Sequence, residues 1–140
     1  MKQLAYVSTA IRLMTDNELT DILKVARRRN AENDVTGVLL YSDGTFIQVL
    51  EGQADSIDTI FDSIVNDKRH KNIIKLVDDK LDVKYFPDWN MGFAAVDKDK
   101  VHEITGFLGS TGEILNDGSG NLLAGILKTF IATNNLVIEN

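Results

Sequence analysis

Apolar residues in this chain recur with a period of two in some stretches and between three and four in others, and the switches between those periods mark out its elements. Lys2 to Ser8 alternates as a strand, with Leu4, Tyr6 and Ser8 on one face and Ala5 and Val7 on the other. A loop carrying Arg12 follows. Thr15-Asp16-Asn17-Glu18 then has the form of a capping box, in which the Thr15 hydroxyl and the Glu18 carboxylate each take up a free N–H of a first helical turn. The helix it opens carries Leu19, Ile22, Leu23 and Ala26 on one face, and Asn30 continues that stripe near the helix end. Two readings of Asn30 stand open: a C-cap, because asparagine tolerates the left-handed conformation, or a contact to a ligand. Val35 to Tyr41 and Thr45 to Glu51 flank the turn Ser42-Asp43-Gly44-Thr45 and predict an antiparallel hairpin. A second helix is predicted from near Asp55, with Ile57, Ile60, Phe61, Ile64 and Val65 at helical spacing and the polar run Asn66-Asp67-Lys68-Arg69-His70 at its end. Ile73 to Val77, Leu81 to Val83 and Phe86 to Val96 read as further strands, with Pro87 at a strand start or edge.

This order predicts an α+β fold, a ferredoxin-like β-α-β-β-α-β sandwich with one added strand and a C-terminal helical tail. The first and third strands are expected as parallel neighbours at the sheet centre, with both helices on one face. In the third, Phe46, Gln48 and Leu50 share a face and Ile47 and Val49 the other, so Gln48 is an amide in a strand expected to be covered on both sides. Its two donors and two acceptor lone pairs need partners, and an unpaired buried group costs about 1–3 kcal/mol. Tyr6 on the first strand and Asn30 on the first helix approach the same face. Three polar groups converging beneath two apolar helices are the usual make-up of a small-ligand pocket, although a backbone partner at a strand edge would also satisfy Gln48. Trp89 and Met91 fall in phase on the last predicted strand, where an aromatic and a methionine serve either a core or a cofactor wall. Residues 1–97 are read as one domain and 98–140 as a tail, with Asp97 to Phe107 and Leu122 to Thr133 as helices, Gly109 to Asn121 as a loop, and the whole covering the sheet face away from the two helices.

Composition narrows the function. A length of 140 residues, 44% hydrophobic and 26% charged, fits one domain with its own core. A net charge of −6 argues against a nucleic-acid surface, which needs clustered lysine and arginine. The one basic cluster, Arg27-Arg28-Arg29, either complements a helix C-terminus or meets an anionic ligand. With no cysteine there are no disulfides, thiolate metal sites, thiol nucleophiles or cysteinyl cofactor adducts. The two histidines, His70 and His102, have no partner at metal-ligand spacing, and neither a Walker loop nor a dinucleotide fingerprint occurs. No metal site and no enzymatic activity are therefore expected. Met1 runs straight into the first strand with no apolar leader, and no apolar stretch reaches membrane length, which predicts a cytoplasmic protein.

Five stretches, in this order and spacing, resemble the BLUF domain, a blue-light sensor using FAD: Tyr6 with Ser8; Asn30 with Val35-Thr36-Gly37-Val38-Leu39; Phe46-Ile47-Gln48-Val49-Leu50-Glu51-Gly52; Asp67-Lys68-Arg69-His70; and Phe86-Pro87-Asp88-Trp89-Asn90-Met91. The resemblance covers about Lys2 to Val96. It implies FAD held non-covalently between the helices, with Tyr6 as hydrogen-bond partner and electron donor and Gln48 set between Tyr6 and the flavin. It further implies Asn30 at the ring's polar edge, Asp67, Arg69 and His70 near the ribityl and phosphate end, and Trp89 and Met91 tied to signal output. Output would pass to an unidentified downstream protein or through self-association, with the tail as contact surface. Arg29, Ser63 and Asn90 depart from the family's usual residues. The rival readings are an acylphosphatase-like enzyme using Arg12 as phosphate ligand, and a flavin-binding interaction module without a photocycle. Against the first, the loop Thr9 to Met14 has no glycine to wrap a phosphate.

Overall fold

The computed structural model describes residues 1–42 and 44–95. The elements run β1 (Lys2–Ala10), α1 (Asp16–Glu32), β2 (Thr36–Ser42), β3 (Thr45–Gly52), α2 (Ala54–Val65), β4 (His70–Lys80) and β5 (Gly92–Ala95). They form a five-stranded sheet in the order β4-β1-β3-β2-β5. This is the expected ferredoxin-like sandwich with one added strand. The predicted tail helices and their packing on the sheet lie outside the described residues.

α1 begins where its cap dictates. The Glu18 N–H donates to Thr15 Oγ1 at 3.2 Å and the Thr15 N–H donates to Glu18 Oε1 at 3.3 Å, closing the capping box. Leu19, Leu23 and Ala26 of α1 and Ile57, Ile60 and Ile64 of α2 pack on Leu4, Tyr6, Leu39, Phe46 and Leu50 of the sheet, so both helices cover one face. Val65, expected on the buried stripe of α2, is instead 49% exposed. The opposite face is buried as well, with Ala5, Val38, Leu40, Ile47 and Val49 at 1% exposure or less.

Three expectations are corrected. β1 and β3 are central neighbours but antiparallel, with Tyr6 directly opposite Gln48 in the register. The chain leaves β1 by α1, returns in β2 parallel to it, and turns back through the hairpin, which reverses β3 relative to β1. The parallel pair is β2 with β5. Second, Leu81 to Val83 and Phe86 to Met91 form irregular chain, and the last strand begins only at Gly92. Pro87 lacks an N–H to offer a ladder. Third, the C-cap of α1 is Asn33, so the cap reading of Asn30 falls away.

Gly37 fixes how closely the hairpin strands meet at one point: a Cβ there would lie 1.9 Å from the Val49 carbonyl oxygen. Its N–H donates to the Trp89 carbonyl at 2.9 Å, which ties β2 to the chain entering β5.

Candidate functional site

The site is built on the two central strands. Register places Tyr6 opposite Gln48, and both side chains point to the helix-covered face, 4% exposed each. The Tyr6 hydroxyl donates to Gln48 Oε1. With Oε1 facing the phenol, the other end of the amide, Nε2, donates to Met91 Sδ at 3.5 Å. Thioether sulfur is a weak acceptor, so the donor end of Gln48 is held loosely. Burial pushes the Tyr6 phenol well above its usual range, and the hydroxyl stays protonated as a donor at any ordinary pH.

Above this pair, between α1 and α2, a cleft of about 610 Å³ opens, counting the solvent at its mouth. Ile22, Val25 and Ala26 of α1, Leu39 and Phe46 of the sheet, and Ile64 of α2 supply its apolar wall, while Tyr6, Gln48, Arg29, Asp67 and His70 supply polar groups.

His70, the first residue of β4, closes one side. Its Nε2 lies 2.5 Å from the Ile64 carbonyl, which can only accept, so Nε2 carries a hydrogen; in the neutral ring Nδ1 then accepts from the Ser8 hydroxyl at 2.8 Å. The ring thereby bridges β1 to the end of α2. Asp67 and Arg69 form a fork at the cleft mouth, with Arg69 Nε donating to both carboxylate oxygens at 2.9 and 3.0 Å and Nη2 to Oδ2 at 2.5 Å. Those hydrogen bonds hold the Asp67 carboxyl below its ordinary range.

Asn30 is fully buried on α1 and does not itself line the cleft, but it adjoins Arg29, which does. Its Nδ2 donates to the Asn90 carbonyl at 2.7 Å, and its Oδ1 is buried with no partner. Met91 is fully buried against Gln48, whereas Trp89 is half-buried and stacks on Phe86, ring centroids 5.7 Å apart and 15° from parallel. Both sit in the chain before β5 and not on the strand expected to carry them. Arg12 is turned away, its guanidinium 2.7 Å from Glu18.

Two features escaped the sequence reading. The run Thr45–Gly52 holds a second misplaced polar residue, Glu51, fully buried on the far face. It accepts from the N–H groups of Tyr85 and Phe86 at 2.9 and 2.7 Å and from Gln3 Nε2 at 3.2 Å. The signal was there, since Glu51 alternates with Ile47 and Val49. The other is the Nε of Arg29, buried without a partner; in sequence Arg29 stands only as one of three cations that either end a helix or meet an anionic ligand.

Fold and cleft together define a small α+β module with an open cleft between its helices and a tyrosine–glutamine pair at the base of that cleft. The family model described as BLUF, sensors of blue-light using FAD, matches residues 1–92, and the chain belongs to that family. Photoactivated adenylate cyclase subunit beta of Euglena longa is 35% identical over 89 residues, 63% of this chain and 10% of that protein. The blue light- and temperature-regulated antirepressor BluF of Escherichia coli K12 is 36% identical over 69 residues, 49% of this chain and 17% of that protein. The match thus spans about a tenth of the first and a sixth of the second. Among solved structures, the dark state of the BLUF protein BlrB superposes with a TM-score of 0.69 at 28% identity, over 95% of this chain and 96% of that one. The photo-activated state of BlsA gives 0.69 at 30% identity, over 94% and 92%.

The residues present fit the flavin this family uses. A flat tricyclic ring needs apolar walls, which the two helices supply, and its pyrimidine edge alternates carbonyl acceptors with an N–H donor. The buried acceptor left open on Asn30 and the buried donor left open on Arg29 are the complements of that edge. Among the described residues no helix is long and apolar enough to cross a membrane.

Proposed function

We propose that this chain senses blue light with FAD bound in the cleft and reports it through a rearrangement of the Tyr6–Gln48–Met91 hydrogen bonds to a partner protein or a self-association surface, with no catalytic output of its own. The observation that carries the reading is the polarity of Gln48: its acceptor end is committed to Tyr6 and its donor end to a weak sulfur acceptor. A bound flavin supplies the absorption of blue light and, once excited, an electron acceptor. Tyr6, buried and protonated, is the electron donor, and its phenolic hydrogen already points to Gln48 Oε1 as acceptor. Exchanging the donor and acceptor ends of Gln48, by rotation or tautomerisation, breaks the contact to Met91 and changes what the amide presents to the cleft. The chain at Asn90 and Met91, held by Asn30, Arg27 and Gln48, is the two-state element this exchange biases. Asp67, Arg69 and His70 serve the ribityl and phosphate end. Trp89 and the tail beyond residue 97 carry the output, for which the cyclase and antirepressor relatives supply the precedent of a downstream partner.

The test is the visible absorption of the purified protein in darkness and under blue light. A flavin band that moves slightly to the red and returns in the dark is expected, with Gln48→Leu keeping the flavin and losing the shift. A normal shift in Gln48→Leu would sink the mechanism. A yellow protein whose spectrum ignores light would favour an interaction module without a photocycle.

A further inference from the structure

Arg29 and Asn30 are consecutive residues in the last turns of α1, and each carries a buried polar atom with no partner: the Arg29 Nε–H, a donor, and Asn30 Oδ1, an acceptor. Arg29 lines the cleft. Of the two guanidinium groups that do, Arg69 is neutralised by Asp67, whereas Arg29 has no ion pair with any described residue. Burial holds its pKa below the usual arginine range, yet a guanidinium keeps its charge at any ordinary pH. A half-buried cation with an unused donor, on the wall of an apolar cleft, is an unfavourable arrangement unless something in the cleft uses it.

We infer that Arg29 sets the electron affinity of the bound flavin, its guanidinium meeting the pyrimidine edge and favouring the ring once it has gained electrons. This rests on the flavin reading above. An oxidised flavin ring is neutral. Reduction by two electrons with uptake of one proton leaves negative charge spread over N1 and the C2 carbonyl, and a fixed positive charge beside that edge favours the reduced form over the oxidised one. Neutral side chains at this position would supply the hydrogen bond without the charge. Arg29 is in this sense a positioning and tuning residue, separate from the Tyr6–Gln48 switch, which lies on the sheet below.

The test is the midpoint potential of the flavin in the holoprotein, measured by slow anaerobic reduction against an equilibrating dye. For Arg29→Gln the ratio of affinities for reduced and oxidised flavin is expected to fall about tenfold, equivalent to about 30 mV for a two-electron couple. Arg29→Lys, which keeps the charge, should stay near the wild-type value. Arg29→His covers the case in which the glutamine variant holds no flavin. Its midpoint should show an additional dependence on pH around the histidine range, near about 6.5, as the charge is lost. The other titratable groups on the cleft, Tyr6, Asp67, Arg69 and His70, are common to the wild type and cancel in the comparison. An unmoved midpoint in Arg29→Gln, or parallel pH profiles for Arg29→His and wild type, overturns the assignment while leaving the sensor reading intact. A colourless protein that takes up no added FAD overturns both.

Discussion

Removing the Glu51 carboxylate should loosen the segment that carries Trp89 and Met91. Glu51 is fully buried, and its two oxygens accept three hydrogen bonds, two of them from the consecutive backbone N–H groups of Tyr85 and Phe86. From there the chain runs on through Trp89 to Asn90 and Met91, which hold Asn30 and Gln48. In Glu51→Ala the buried Phe86 N–H, the part-buried Tyr85 N–H and the Gln3 amide all lose their acceptor. Hydrogen bonds to a charged group are worth about 1.5–3 kcal/mol each, and each orphaned buried donor costs about 1–3 kcal/mol. Losses at neighbouring groups overlap, and regaining water at Tyr85 offsets part, so a net destabilisation of roughly 3–5 kcal/mol is expected, in the range found for breaking a buried charged contact. For a domain of this size that is roughly 10–25 °C in Tm. The assay is thermal and urea unfolding followed by fluorescence, for which the chain offers a single tryptophan, Trp89, stacked on Phe86 and thus reporting on this very segment. Glu51→Gln keeps one acceptor but turns its NH₂ group toward a backbone N–H, and should recover only part of the loss. Destabilisation below about 0.5 kcal/mol in Glu51→Ala, with unchanged Trp89 emission, would refute the claim that this carboxylate anchors the segment.

Further outcomes are expected elsewhere. Tyr6→Phe leaves the buried Gln48 Oε1 without its donor and should cost about 1–3 kcal/mol in urea unfolding; in the light experiment it should lose the photocycle, and an unchanged cycle would reduce Tyr6 to core packing. Gly37→Ala places a methyl group 1.9 Å from the Val49 carbonyl, so β2 and β3 must separate locally; circular dichroism melting should show a loss well beyond the roughly 1 kcal/mol typical of a single substitution. The Glu18 carboxyl is lowered from the ordinary 4.5 to about 2 by its hydrogen bond to Arg12 and by the Thr15 backbone. Because the folded pKa is the lower, this contribution is fully present above pH 4.5 and is lost as pH falls toward about 2. Stability of Glu18→Gln measured across that window should therefore decline less steeply than the wild type.

Much of this architecture is written in local pattern. The Thr15–Glu18 box closes as a box, the Leu19–Leu23–Ala26 and Ile57–Ile60–Ile64 stripes face the sheet, and Gln48 stands out as an amide in an apolar strand, because caps and periodicity depend on residues within a turn of one another. The sequence singles out Tyr6, Asn30, Gln48 and His70, and the fold sets Tyr6, Gln48 and His70 on one cleft with Asn30 buried next to Arg29 of its wall. Tertiary structure decided the rest. That β1 and β3 run antiparallel, and so set Tyr6 directly opposite Gln48, follows from the path of the crossover and hairpin and not from either strand's composition. That Met91 and not Trp89 reaches Gln48 depends on irregular chain between Leu81 and Met91, whose course is set by Glu51, Gly37 and Arg27 from three different elements. Arg29 reads in sequence as one of three helix-end cations; only the closing of two helices over the sheet leaves its Nε buried and unpaired. A chain states which groups are polar and where they fall along a helix or strand. Whether such a group ends up paired is settled by partners tens of residues away, and it is those pairings, made or left open, that define this site.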